Sequence, residues 1–173
     1  MSEGPKTDRR GALKVLAVTG GAVGAGALAV PAARFVVAPA AGGAGGGRWI
    51  KTVALESLKE GEPKRVPLVA DRRDAWTLEK QVELGAVWLL REGDAVKAWS
   101  VVCPHLGCAV DRSATTPGFY CPCHDSSFDP AGRRVSGPSP RDLDALATRV
   151  EDGVVAVEFQ RFRQGTPDKT PMG

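Results

Sequence analysis

Four cysteines and two histidines are all that this 173-residue chain holds of either type, and all six lie between Cys103 and His124. They form two short boxes. The first reads Cys103-Pro104-His105-Leu106-Gly107-Cys108, and twelve residues later the second reads Cys121-Pro122-Cys123-His124-Asp125-Ser126. Thiolates and imidazoles presented together are donors for zinc, iron and iron–sulfur chemistry. Structural zinc sites usually present C-x2-C or H-x3-5-H pairs, whereas the spacings here are C-x-H, C-x4-C and C-x-C. A zinc site and a set of purely structural disulfides are therefore the competing, weaker readings.

The two boxes, their order and their separation together resemble the cluster-binding motifs of Rieske proteins. The resemblance implies a [2Fe-2S] cluster with Cys103 and Cys121 as thiolate ligands and His105 and His124 as imidazole ligands. It also implies that Cys108 and Cys123 pair as a disulfide tying the two loops together. Exchanging two thiolates for neutral imidazoles makes reduction easier, which puts such centres at roughly −150 to +300 mV. Each imidazole keeps a second nitrogen whose proton affinity depends on the oxidation state of the iron. Coupled uptake of an electron and a proton suits hydroquinone oxidation, with His105 and His124 as the groups that meet the substrate. The extra cysteine pair separates the chain from the ferredoxin-like Rieske proteins that feed ring-hydroxylating oxygenases, and it implies an oxidising compartment.

Neighbouring positions carry the same resemblance further. Ser126 stands where the family places a serine that hydrogen-bonds a bridging sulfide, a contact that raises the potential. Phe128 stands where high-potential, ubiquinol-oxidising relatives often have a tyrosine that bonds a cysteine ligand, so a lower potential and menaquinol rather than ubiquinol are expected. Asp125 replaces a frequent glycine. Its charge would lower the potential further; the alternative is a solvated aspartate that tolerates an awkward backbone angle. Gly137-Pro138-Ser139-Pro140 resembles the proline-rich loop that covers the cluster from a third side. Leu106 is expected at an exposed tip, touching the quinone pocket of a partner subunit or shielding the cluster from water.

The elements that must position these boxes begin with an amino-terminal third of different character. Asp8-Arg9-Arg10-Gly11-Ala12-Leu13-Lys14 partly resembles a twin-arginine export signal, within a cytoplasmic segment 1–14. Val15 to Ala33 is 19 residues without a charge, enough for a helix of about 28 Å at 1.5 Å per residue. A transmembrane anchor over 15–38 is expected, with Lys6, Arg9, Arg10 and Lys14 keeping the short end in the cytoplasm. A signal cleaved near Ala38-Pro39-Ala40 is the alternative. The glycine- and alanine-rich stretch 39–48 reads as a flexible neck.

Residues 49–160 read as one domain, with the cluster subdomain at 103–140 held by metal and disulfide, and 161–173 as a polar tail lying over the surface or on a partner. Short apolar runs at Trp49–Val53, Arg65–Val69, Val87–Leu90, Val96–Val102, Phe119–Cys121, Leu146–Val150 and Val154–Phe159 read as strands. Glu92-Gly93-Asp94 and Asp152-Gly153 read as hairpin turns. Only Leu55–Glu60 and Asp142–Ala145 look briefly helical. The expected fold is all-β, a Rieske-type antiparallel β-sandwich with a small cluster-binding subdomain, preceded by one transmembrane helix. Trp49, Trp76, Trp88 and Trp99 read as packing residues. A net charge of +3 gives no case for nucleic acid.

The resemblance implies an iron–sulfur subunit of a quinol:cytochrome c oxidoreductase of the bc1/b6f kind in a bacterial cytoplasmic membrane, with cytochrome b and a c-type cytochrome as partners. The rival is an electron-transfer subunit of an arsenite-oxidase-like molybdenum enzyme.

Overall fold

The computed structural model describes residues 8–41, 47–73 and 77–172. Trp76 and the central glycines of the expected neck, 42–46, lie outside them. The chain divides into two compact units, 1–43 and 44–173.

The first unit is one helix, α1 (Arg9–Ala41), of 33 residues. It starts before Val15 because Asp8 caps it: the Asp8 carboxylate accepts from the Arg10 N–H at 3.2 Å and the Asp8 carbonyl from the Ala12 N–H at 3.0 Å. The 28 residues Arg9–Val36 are long and apolar enough to cross a membrane. Leu16, Val23, Leu28 and Phe35 along it are exposed.

The second unit is built from antiparallel strands. A three-stranded sheet joins β1 (Arg48–Ala54), β10 (Thr148–Glu151) and β11 (Val154–Phe159) in the order β1-β11-β10. A second sheet runs β2 (Lys64–Arg73), β3 (Leu78–Glu92), β4 (Ala95–Ser100), β9 (Ala145–Leu146). A third runs β5 (Asp111–Arg112), β6 (Phe119–Cys121), β7 (Ser126–Phe128), β8 (Arg134–Ser136). Two short strands, β12 (Arg161–Phe162) and β13 (Pro171–Met172), pair with each other.

Strand β3 explains how these layers share a centre. Residues 86–90 are buried without interruption, the pattern of a strand covered on both faces. Side chains alternate along a strand. Val87 and Leu89 therefore enter one core, with Ile50, Leu68, Val155 and Val157. Ala86, Trp88 and Leu90 enter the other, with Trp99, Phe119, Cys121 and Phe128. The expected cluster subdomain thus rests on an apolar core that it shares with β3 and β4. Trp88 and Trp99 both pack on Phe119, with ring centroids 5.5 and 6.0 Å away. Trp49 is not a core residue; it is 37 % exposed, with the Arg149 guanidinium 4.1 Å from its ring centroid.

Two expected helical turns come out differently. Leu55–Ser57 is a single 3-10 turn, ended where Leu58 becomes extended and buries its side chain. Asp142–Ala145 is not helical, because its polar groups are used elsewhere. Asp142 accepts from the Arg134 N–H, Asp144 pairs with Arg141, and the Asp144 carbonyl accepts from the Ser100 N–H. The expected strand Leu146–Val150 breaks at Ala147 into β9 and β10, so that one apolar run serves two sheets.

Candidate metal centre

Two hairpins present the six residues. In the first, the Cys103 N–H donates to the Cys108 carbonyl at 2.8 Å and the Gly107 N–H to the Cys103 carbonyl at 2.9 Å. The turn needs left-handed backbone, and Gly107 supplies it at φ 83°. In the second, β6 and β7 set Cys121 opposite Ser126 and Phe119 opposite Phe128. Alternation turns these four side chains inward, where all are buried.

Asp125 closes the second loop at φ 57°, a conformation that aspartate tolerates better than most residues. Its carboxylate accepts a short hydrogen bond from the Tyr120 hydroxyl. That bond is the main reason the Tyr120 phenol is held above its ordinary pKa. The sequence reading missed Tyr120, whose only signal is its place five residues before Asp125 across a tight loop.

The Cys108–Cys123 disulfide is formed, with Cα atoms 6.5 Å apart. Cys103 and Cys121 are free and buried. The sulfurs of Cys108, Cys121 and Cys123 lie within 4.8 Å of one another, but two of them are joined in the disulfide, so this trio is no zinc site. The Cys103 thiol is pushed up to about 11, chiefly by burial; the His105 backbone hydrogen bond opposes this, the adjacent Cys121 adds to it, and Ser126 opposes it. Burial favours the protonated Cys103 thiol until a cation compensates the charge of its thiolate.

The imidazoles occupy the outer side. The His105 and His124 ring centroids are 4.7 Å apart and the planes stand at 86°. His105 is half-buried and His124 exposed. Nδ1 of His105 is buried with no hydrogen-bond partner. Such an orphan costs about 1–3 kcal/mol, and a bond to metal at that nitrogen would satisfy it. A buried sulfur pair backed by an imidazole pair with one orphaned nitrogen fits a centre of mixed sulfur and nitrogen ligation.

Supporting groups converge on the same place. The Ser126 hydroxyl oxygen accepts from the Ser139 N–H at 3.1 Å, and its side chain hydrogen-bonds Cys103. Gly137, at φ 87°, lies so close to the second box that a Cβ there would sit 2.5 Å from Ser126 Cα and 2.6 Å from the Asp125 carbonyl oxygen. Only glycine fits that approach. Arg134 Nη1 donates to the carbonyls of Gly137 and Ser139 at 3.3 and 3.1 Å. Pro138 is exposed and Pro140 half-buried. Phe128 lies in the core that holds Cys103 and Cys121. Leu106 is 64 % exposed at the tip of the first hairpin.

Residues 48–148 match the Rieske [2Fe-2S] domain family. Similar proteins include the menaquinol:cytochrome c reductase iron-sulfur subunit of Bacillus subtilis, 30% identical over 75% of this chain and 78% of that protein. The cytochrome b6-f complex iron-sulfur subunit of Synechococcus elongatus is 33% identical over 88% of this chain and 84% of its own. Among solved structures, the cyanobacterial plasma membrane Rieske protein of Synechocystis PCC 6803 is 30% identical, covering 47% of this chain and 85% of that one, with a TM-score of 0.39. With the family matched across more than half its length, and with a donor set that fits the cofactor, the chain belongs to the Rieske [2Fe-2S] family and is an electron-transfer protein carrying a cluster of that type.

Proposed function

We propose that the chain is the iron–sulfur subunit of a quinol:cytochrome c oxidoreductase of the bc1/b6f kind, anchored in the bacterial cytoplasmic membrane by α1 with its head outside the cytoplasm. Cys103 and Cys121 hold the buried side of the cluster, and His105 and His124 the outer side. When bound, the cluster supplies a one-electron couple whose charge is felt at the two imidazoles.

The observation that carries this reading is the imidazole pair at the outer edge, beside an exposed Leu106. A ring nitrogen of His105 or His124 that faces solvent can accept a hydrogen bond from a quinol hydroxyl and hold the proton released. Leu106 gives the same edge an apolar contact for the quinol pocket of a cytochrome b subunit. Ser126, fixed by the Ser139 N–H, keeps its hydroxyl against Cys103. Phe128 offers no hydroxyl to the sulfur side, which supports a menaquinol rather than a ubiquinol donor, and the Bacillus subtilis relative is named for menaquinol. A c-type cytochrome is the acceptor.

Electron paramagnetic resonance of reduced membranes, with and without a quinone-site inhibitor, tests the proposal. A Rieske signal that shifts on inhibitor binding, and co-migration with cytochrome b in native electrophoresis, are expected. An unresponsive signal, with the chain migrating beside a molybdopterin subunit, would assign it to the arsenite-oxidase-like class instead.

A further inference from the structure

The segment after β11 does not trail over the surface. Phe162 is buried in the core with Leu68, Val87 and Val157, and Lys169 Nζ lies 4.5 Å from its ring centroid. The Arg163 N–H donates to the Thr170 carbonyl at 2.9 Å, which closes residues 163–170 into a loop between β12 and β13. That loop reaches the first box. The Gly165 N–H donates to the Pro104 carbonyl at 2.8 Å. A Cβ on Gly165 would lie 3.7 Å from the His105 carbonyl oxygen, and one on Gly107 would lie 3.8 Å from the Gln164 side chain.

A buried ion pair anchors the loop from behind. Arg141 grips Asp144 through two bonds of 2.9 Å, with its side chain 10 % and that of Asp144 6 % exposed. The same guanidinium donates to the Thr166 carbonyl at 2.6 Å. Lys169 Nζ adds a bond to the Ala145 carbonyl at 2.5 Å. Arg141 therefore connects the end of the proline-rich loop, the Asp144 turn and the 163–170 loop in one network. These backbone contacts fall on Pro104 and His105, and the loop that makes them lies beyond the 48–148 span shared with the family.

We propose that residues 163–170 are a strap that sets the orientation of His105, with Gly165 and Arg141 as positioning residues. The inference rests on the reading of His105 as a cluster ligand. A peptide N–H directed at the Pro104 carbonyl fixes the Pro104–His105 peptide plane, and with it the direction in which the imidazole leaves the backbone. The disulfide fixes the far end of the same hairpin at Cys108. Box one is thus held at both ends, and the strap is the tie nearer the imidazole.

The test uses the full chain loaded with cluster beside two variants, one ending at Arg163 and one carrying Arg141→Lys, each checked for iron and acid-labile sulfide. Lysine keeps a charge beside Asp144 but lacks the planar fork that serves Asp144 and Thr166 together. The expected result is a broadened reduced-state resonance signal with shifted g values. The reduction equilibrium constant should change about threefold, ~28 mV for a one-electron couple, with the shorter chain more affected than Arg141→Lys. Loaded variants that melt earlier but keep the parent's g values, linewidth and potential would reduce the strap to a purely structural part and overturn the inference. Should the shorter chain fail to hold a cluster, Arg141→Lys decides alone by the same readouts. A parent chain with iron but no Rieske spectrum would instead remove the ligand reading on which the inference stands.

Discussion

Ser126 and Phe128 sit two residues apart on the inward face of β7, one polar and one not, and both face the core that holds the free cysteines. The Ser126 hydroxyl, in contact with Cys103, stabilises negative charge on the sulfur side. Ser126→Ala should therefore lower the midpoint potential, by roughly 59 mV if the equilibrium moves tenfold. Phe128→Tyr should raise it by a comparable amount. Protein-film voltammetry reads both, and shifts of the same sign would contradict the assignment. The Asp129 carboxylate contributes to acid stability. Burial by itself would raise the Asp129 pKa, but N–H donors from Arg133 and Ala131 and the Arg133 charge together hold it below the ordinary value. A lowered folded pKa means the charged form stabilises the fold above the unfolded value, and that contribution is lost as pH falls through the folded one. Asp129→Asn should melt earlier than the parent at neutral pH, and the gap should begin to narrow below about pH 4 and go on narrowing as pH falls through the lowered folded value. A gap that keeps its neutral-pH size down to about pH 2 would point to a cause other than ionisation.

At the scale of elements, the disulfide between the two hairpins spans 15 positions, a separation worth about 3 kcal/mol in the chain-entropy account. Cys108→Ser with Cys123→Ser should lower unfolding free energy by about that amount in denaturant titrations, with a steeper slope because the unlinked denatured chain exposes more surface. A loss below about 0.5 kcal/mol would mean the hairpins are held together by packing alone. These hairpins were only partly legible in the sequence. The boxes stood out because their donor residues occur nowhere else, and β6 because Phe119, Tyr120 and Cys121 form a short apolar run. Strands β5, β7 and β8 did not: they are two or three residues long and rich in Asp, Arg and Ser, so no periodicity develops. The first half of β3 was hidden in the same way, since Leu78–Glu83 is largely exposed and polar and follows β2 by ladder pairing alone. The 163–170 loop reads as a polar tail because its contacts with the first box run through backbone groups, which carry no residue signature.

For the whole molecule, strands β3 and β4 contribute alternate side chains to both cores, so neither core can loosen without disturbing the other. Trp88→Ala, on the cluster side, should cost about 3–5 kcal/mol and still give one cooperative calorimetric transition for the head. Two resolved transitions would show that the layers unfold separately. The burial of Cys103 and Cys121 against that shared core, with His105 and His124 toward solvent, has a consequence for traffic. Trp88, Trp99, Phe119 and Phe128 pack around the sulfur pair, so under the proposed ligand set the imidazole edge would be the doorway for both arrival and departure. On that reading a donor standing in it would exclude the acceptor. Deliveries and collections would then alternate, and the ceiling on turnover would be the time taken for one visitor to leave before the next arrives.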